Sequence, residues 1–236
     1  MQETIYTLTL SSRNSIVSVC QNGKEMENMT FQYLPDKTVE VPEIPYKDKI
    51  ALNADKTALI IVDMQNDFVK PEGSLVVPEA IHSIVNIRNL LDRARERGVK
   101  IVYTQDTQIL NDPEFDVWLE HCIKGTWGWQ IISELEPRKE ELVCRKNRYD
   151  GFYDTWMDHF LSKIWNIDNV VIVGTVSNIC VLHTAASAGL RWYHVIVAAD
   201  GITANTAFDQ ALTLHQVARI YNGSVLRSVE DIQIRE

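Results

Sequence analysis

No apolar run in the 236-residue chain reaches the roughly 18 residues of a membrane-spanning helix. A basic excess is also missing: 23 Lys and Arg stand against 32 Asp and Glu, a formal net charge of −9. Nucleic-acid binders normally show a basic patch or stripe, so nucleic acid is not an expected partner. The opening MQETIYTLTLSSRNS lacks the basic and apolar regions of a signal peptide. Cys20, Cys122, Cys144 and Cys180 are scattered and form no C-x-x-C pair, so zinc-finger spacing is absent. With no secretory signal, a disulfide framework is not expected. Repeats and low-complexity tracts are missing too. What the chain does have is 45% hydrophobic residues, enough to bury the core of one domain with a small appendage. These features together predict an acidic, cytoplasmic protein with no membrane partner.

The chain divides by pattern. Residues 1–50 form a β-rich extension and connector. TIYTLTL, SIVSVC and MTFQYL are short β-favouring runs, and Asn22-Gly23 is a turn signal. The stretch YLPDKTVEVPEIPYKDK holds three prolines and reads as an extended connector. Residues 51–236 form the main domain. TALIIVD is a continuous apolar run ending in an acid, as in a central parallel strand buried on both faces. EAIHSIVNIRNLLDRARERG has helical spacing with Gly98 as its stop, and VKIVYTQ is the next strand. EELVCRK, DNVVIVG and YHVIVAAD read as further strands. DTWMDHFLSKIW, NICVLHTAASAGL and TAFDQALTLHQVARIY read as helices. The alternation predicts an α/β fold, a three-layer sandwich with a mainly parallel sheet.

Ligands of open α/β sheets bind beyond the C-terminal strand ends. The first strand ends at Asp63, the second at Thr104-Gln105-Asp106, the third leads to Arg145-Lys146, and the fourth runs through Gly174 to Cys180. Cys180 lies at or near a helix start, where free N–H groups and the macrodipole favour an anion. A lowered thiol pKa is therefore expected. The plainer reading is a small buried residue. Asp63, at the end of an apolar strand, suits general-base work if partly desolvated. A loop cap is its plainer role. Lys146 could orient Asp63 or hold it ionised. Nucleophile, base and orienting cation at three strand ends satisfy the logic of a triad.

ALIIVDMQNDF, CRKNRYDGFYDT and VIVGTVSNICVLHTA, in this order, resemble the isochorismatase-like cysteine hydrolases. The resemblance covers about residues 55–226. It implies a catalytic triad of Asp63, Lys146 and Cys180. It also implies a cis peptide at Thr175–Val176 and an oxyanion hole formed by the N–H groups of Val176 and Cys180. Members of this family that cleave isochorismate lack the cysteine, so its presence implies C–N bond hydrolysis. Nicotinamidases carry Asp-x-His and a later His as metal ligands. Here the stretch is Asp106-Thr107-Gln108, with His121 as the later candidate, and one imidazole is missing. A functional metal is therefore not expected, and no cofactor is needed.

The resemblance further implies that Asp106, Gln108 and Tyr149 line the substrate pocket, with Arg148 a candidate for a substrate carboxylate or for a surface salt bridge. Trp118, Trp127 and Trp129 could roof that pocket, although core or interface packing is the commoner use of such aromatics. His183 and His215 read as core or surface residues. The expected protein is a homo-oligomeric amidohydrolase acting through a thioester on a small amide or ureido compound. The alternatives are a nicotinamidase with a weakened metal site and a non-catalytic binding protein on the same fold.

Overall fold

The computed structural model describes residues 6–10, 17–21, 24–25 and 41–235. Two compact units divide between Val41 and Pro42. In the first, β1 (Tyr6–Leu10) pairs antiparallel with β2 (Val17–Gln21), which pairs antiparallel with β3 (Lys24–Glu25). TIYTLTL and SIVSVC thus contribute strands, while MTFQYL lies outside the described residues.

The second unit is built on a seven-stranded sheet, parallel throughout. Its strands are β4 (Tyr46–Lys47), β6 (Thr57–Val62), β7 (Lys100–Asp106), β8 (Leu142–Lys146), β9 (Asn169–Thr175), β10 (His194–Thr203) and β11 (Ser224–Leu226). The spatial order is β4-β11-β10-β9-β6-β7-β8. Two further strands, β5 (Ile50–Asn53) and β12 (Ile232–Arg235), form a small parallel pair beside it.

Strand β6 explains the layering. All six of its residues are buried. Successive side chains point to opposite faces. Ala58, Ile60 and Val62 enter one core with Ile172, Val195, Ala185, Ala188, Leu214 and Val217. Leu59 and Ile61 enter the other with Ile87, Leu90, Leu91 and Ala94. The first face is covered by α3 (Leu182–Leu190) and α4 (Ala207–Arg219), and the second by α2 (Ala80–Glu96). One short helix, α1 (Asn66–Val69), follows β6 directly. The three-layer α/β sandwich is therefore present.

Three local readings are corrected. The proline-rich connector is more than a linker, since Tyr46–Lys47 supplies the sheet's edge strand β4. Lys47 Nζ donates to Ser224 Oγ at 2.8 Å, and Arg227 stacks over the Tyr46 ring at 4.3 Å. An edge is where a neighbouring proline such as Pro45 is tolerated. The helix expected over DTWMDHFLSKIW starts later than read and is wound as a π-helix over His159–Ile164. Asp154 has φ +53, and the Thr155 hydroxyl bonds back to the Gly151 carbonyl, so the chain turns before it coils. Strand β10 runs past the expected YHVIVAAD to Thr203, after a register shift between Val197 and Ile202.

Candidate active site

The C-terminal ends of β6, β7, β8 and β9 bring the predicted residues together. Asp63 follows β6 with φ +48, a left-handed turn that Asp tolerates better than most residues. Its N–H reaches the Thr104 carbonyl at 3.3 Å and the Thr104 hydroxyl at 3.2 Å. The same hydroxyl donates to Asp63 Oδ1 at 2.6 Å. Gly174, beside β6 at φ +116, has no room for a side chain, since a Cβ there would lie 2.1 Å from the Val62 carbonyl oxygen. β6 and β9 can therefore close up just before both bend into the site.

Lys146 ends β8 with its side chain fully buried. Its Nζ stands 2.7 Å from Asp63 Oδ2, 3.5 Å from Asp106 Oδ1 and 3.6 Å from Cys180 Sγ. Burial acts against its charge, but Asp106 and Asp63 outweigh that and hold Lys146 well above its usual range. Burial raises the Asp63 carboxyl, and the attraction of Lys146 does not cancel the effect. At Asp106 burial loses instead: Lys146 and His121 hold its carboxyl below the usual value.

Cys180 departs from expectation in one respect. Its position at a helix start is as expected: it lies in a π-helical segment, Ser177–Val181, in which the Val181 N–H donates to the Val176 carbonyl at 3.2 Å, and which runs directly into α3 at Leu182. Burial pushes the thiol well above its usual pKa, and Lys146 opposes this only partly, against the charges of Asp63 and Asp106. The lowered thiol pKa expected from a helix start is not found. Desolvation disfavours the charged form and dominates here. The Thr175–Val176 peptide is cis.

A cleft of about 510 Å³, counted to its open mouth, leads to Cys180. Phe68, Val77, Val176, Ile179, Trp118 and Tyr149 give it apolar walls, and Asp106, Glu114 and His121 form its polar end. Trp118 Nε1 donates to the Tyr149 hydroxyl at 2.9 Å across one side. Asp106, Tyr149 and Trp118 line the cleft wall. Gln108 does not. Its side chain is fully buried, with Nε2 donating to Asp106 Oδ1 at 3.2 Å, so it backs Asp106 instead of lining the cleft. The pairing of Gln108 with Ile123 fixes that direction. Trp129 Nε1 is bound to the Thr107 hydroxyl at 2.9 Å, and Trp127 is half-exposed. Arg148 forms ion pairs with Asp112 at 3.2 Å and Glu114 at 3.6 Å.

Glu114 is the residue that sequence reasoning missed. It lies in the irregular stretch 109–130, where no periodicity indicates direction. Asp106, Glu114 and His121 each offer a ligand atom, all within 4.8 Å of one another. His121 Nδ1 is 2.7 Å from the Leu119 carbonyl oxygen, which can only accept, so Nδ1 carries a proton. Nε2 then faces Asp106 Oδ2 at 3.2 Å and Glu114 Oε1 at 3.9 Å. Burial lowers the His121 pKa, but Asp106, the Leu119 carbonyl and Glu114 outweigh it and raise that pKa, so Nε2 tends to hold a proton towards Asp106. Two carboxylates and an imidazole form a donor set that fits a divalent cation once that nitrogen gives the proton up.

The rest of the VDMQNDF motif fastens the loop that carries His121. Gln65 Nε2 donates to the carbonyls of Asp106 and Trp129, and its Oε1 accepts the Asp106 N–H at 2.7 Å. Asn66 Nδ2 donates to the Trp127 carbonyl. Asp67 accepts the Cys122 N–H at 2.7 Å and the Ser74 N–H at 3.1 Å.

Comparison with known proteins gives the family. Residues 57–231 match the family described as Isochorismatase domain. Ureidoacrylate amidohydrolase RutB of Rhizobium rhizogenes is 29% identical over 215 residues, covering 78% of this chain and 85% of that protein. Nicotinamidase of Saccharomyces cerevisiae is 30% identical over 185 residues, covering 60% of this chain and 85% of that protein. Among solved structures, N-carbamoylsarcosine amidase from Thermoplasma acidophilum superimposes with a TM-score of 0.66 at 35% identity, covering 73% of this chain and 96% of that one.

Proposed function

The chain belongs to the isochorismatase family and is a hydrolase acting on amide C–N bonds, and from that premise we propose a cysteine mechanism through a thioester. The supporting observation is the position of Lys146 Nζ, in reach of both the buried Asp63 and Cys180, which lines the cleft. In this reading Asp63 takes the proton of Cys180 as sulfur attacks the carbonyl carbon. The raised affinity of Asp63 for a proton suits it to this task. The N–H groups of Val176 and Cys180 hold the oxyanion. The C–N bond breaks, and the departing ammonia or amine receives the proton from Asp63. Asp63 then deprotonates a water that cleaves the thioester and restores the thiol. Lys146 keeps the carboxylate in place and balances charge around the sulfur.

The substrate proposed is a small amide or ureido compound, with Asp106 and Tyr149 on the wall beside it. The test is ammonia release from nicotinamide, N-carbamoylsarcosine, biuret and a ureidoacrylate mimic, with wild type and Cys180→Ala. Turnover by wild type alone, with an acyl adduct on Cys180 seen by intact mass, supports the mechanism. Most of the turnover surviving in Cys180→Ala would falsify it.

A second reading is favoured by one observation, the convergence of Asp106, Glu114 and His121. These residues would hold a divalent cation in a nicotinamidase-type enzyme, and such a cation supplies Lewis acidity. Loss of nicotinamide turnover on chelation, with recovery on adding zinc, selects that reading. We also take the protein to be a cytoplasmic homo-oligomer. Free thiols at Cys122, Cys144 and Cys180 support a reducing compartment. Exposed Leu190, Trp192 and Ile220 around one groove support self-association, which mass in solution tests.

A further inference from the structure

The cleft walls are apolar, and the charges at its polar end are already committed. Three cationic side chains approach it among the described residues, and each faces carboxylates of the chain itself. Lys146 lies between Asp63 and Asp106. Arg148 Nη1 is held by Asp112 and Glu114 and by the carbonyl of Asn147. His121 Nε2 faces Asp106 and Glu114. Four carboxylates thus surround two permanent cations and one imidazole. Two of those carboxylates, Asp106 and Glu114, are on the cleft wall itself.

A ligand carboxylate entering here gives up its hydration and needs a hydrogen-bonded cation to compensate. It meets no uncommitted cation on the cleft wall among the described residues, and it is brought towards the carboxyl groups of Asp106 and Glu114. Arg148 has the planar fork that suits a carboxylate, but it is not on the cleft wall, and its Nη1 already faces Asp112 at 3.2 Å with Glu114 at 3.6 Å. Glu114 is itself buried, with its backbone N–H fixed to Asp112 Oδ1 at 2.9 Å, so its position is set by the chain and not by a ligand.

Building on the amidohydrolase reading, we propose that the cleft selects substrates with an uncharged, apolar body, and that Glu114 is the residue that turns carboxylates away. The reacting amide or ureido group sits at Cys180, and the rest of the molecule packs on Phe68, Val77, Trp118, Tyr149 and Ile179. Removing the charge of Glu114 takes one negative group off the wall and frees part of Arg148, which converts a repulsive wall into one tolerant of an anion.

The test uses a matched pair, 4-methylpentanamide and succinamate, in which an isopropyl group and a carboxylate of similar shape end the same chain. Binding of each to Cys180→Ala is followed by Trp fluorescence and calorimetry, on protein as purified and after chelation. The expected result is at least tenfold tighter binding of 4-methylpentanamide in both preparations, with the ratio falling about tenfold in Cys180→Ala/Glu114→Gln. Arg148→Ala in the same background leaves the preference in place. Equal or tighter binding of succinamate in either preparation overturns the proposal, as does failure of both compounds to bind or an unchanged ratio in the Glu114→Gln protein. Hydrolysis by wild type is measured separately. If neither compound is turned over while the binding preference stands, the proposed reaction fails and the selectivity survives.

Discussion

Lys146 Nζ and Asp63 Oδ2 form an ion pair of 2.7 Å from which solvent is wholly excluded. Breaking a buried pair by removing one partner leaves a charge with nothing to compensate it, at a cost of about 3–5 kcal/mol. Replacing both partners by apolar groups costs much less. Lys146→Met and Asp63→Leu are each expected to lower stability by about that amount, and the double variant to recover much of the loss. Recovery stays incomplete because Asp106 also faces Lys146 at 3.5 Å. All three proteins should lack amidase activity. Denaturation curves for the four-member cycle decide the matter; purely additive losses would mean the two charges are not coupled.

The layers were legible because each strand and helix carries its own period. The unbroken apolar run of β6 required two covered faces, and Asp63 ended it in sequence as in space. Cys180 and Lys146 could be located in the same way, from strand ends. What the sequence concealed lies where chain direction is set by side-chain bonds instead of periodicity. Glu114 and Gln108 sit in such a stretch, and which of them meets the cleft depends on the pairing of Gln108 with Ile123. The thiol pKa was misread for a related reason. Proximity to a helix start is visible in sequence, while complete desolvation by packed neighbours is not.

Gly128 shows how tightly the loop bearing His121 is fastened. A Cβ on this residue would lie 2.1 Å from Asp67 Cγ, closer than any side chain can stand. Asp67 cannot withdraw without releasing the Cys122 N–H, the neighbour of His121. Gly128→Ala is expected to cost at least 1–3 kcal/mol by overpacking and to loosen the polar end of the cleft. Gly125→Ala is the control, since a Cβ there meets nothing within 4 Å, although its φ of +88 carries some backbone strain of its own. Raised hydrogen exchange at 119–131 in Gly128→Ala but not Gly125→Ala is the expected result. The reverse order would defeat the account.

Cys180 should be a slow nucleophile until substrate is bound. Its thiol is pushed up by burial, so little thiolate exists at neutral pH. Alkylation by iodoacetamide, mapped to the Cys180 peptide, is expected to run at least tenfold slower than for free cysteine at pH 7.5, and to accelerate as pH rises through 9. Lys146→Gln should slow it further, because Lys146 favours the thiolate. A rate at neutral pH equal to that of free cysteine, or faster alkylation in Lys146→Gln, would remove the desolvated-thiol picture.

His194, at the far end of the sheet from the cleft, gives the fold a pH dependence of its own. The Lys47 ammonium donates to Ser224 Oγ at 2.8 Å, which leaves the hydroxyl proton free for His194 Nε2, also at 2.8 Å. Nδ1–H can then donate to Asn169 Oδ1 at 3.2 Å. This arrangement satisfies neutral imidazole, while a second ring proton would oppose the hydroxyl and sit near a positive charge. Burial, with Lys47 adding to it, accordingly lowers the His194 pKa. In the unfolded chain a histidine titrates near 6.5. Above that value both states are neutral and His194 contributes no slope. As pH falls below it, the unfolded chain takes up a proton that the folded chain resists, so stability is lost until the folded pKa is passed. The stability difference between wild type and His194→Gln should therefore be flat above about pH 7 and shift against wild type from pH 6.5 downwards. Groups common to both proteins cancel in that difference. A flat difference down to pH 5, or one that moves in favour of wild type, would mean that His194 accepts a proton in the folded state as easily as in the unfolded one.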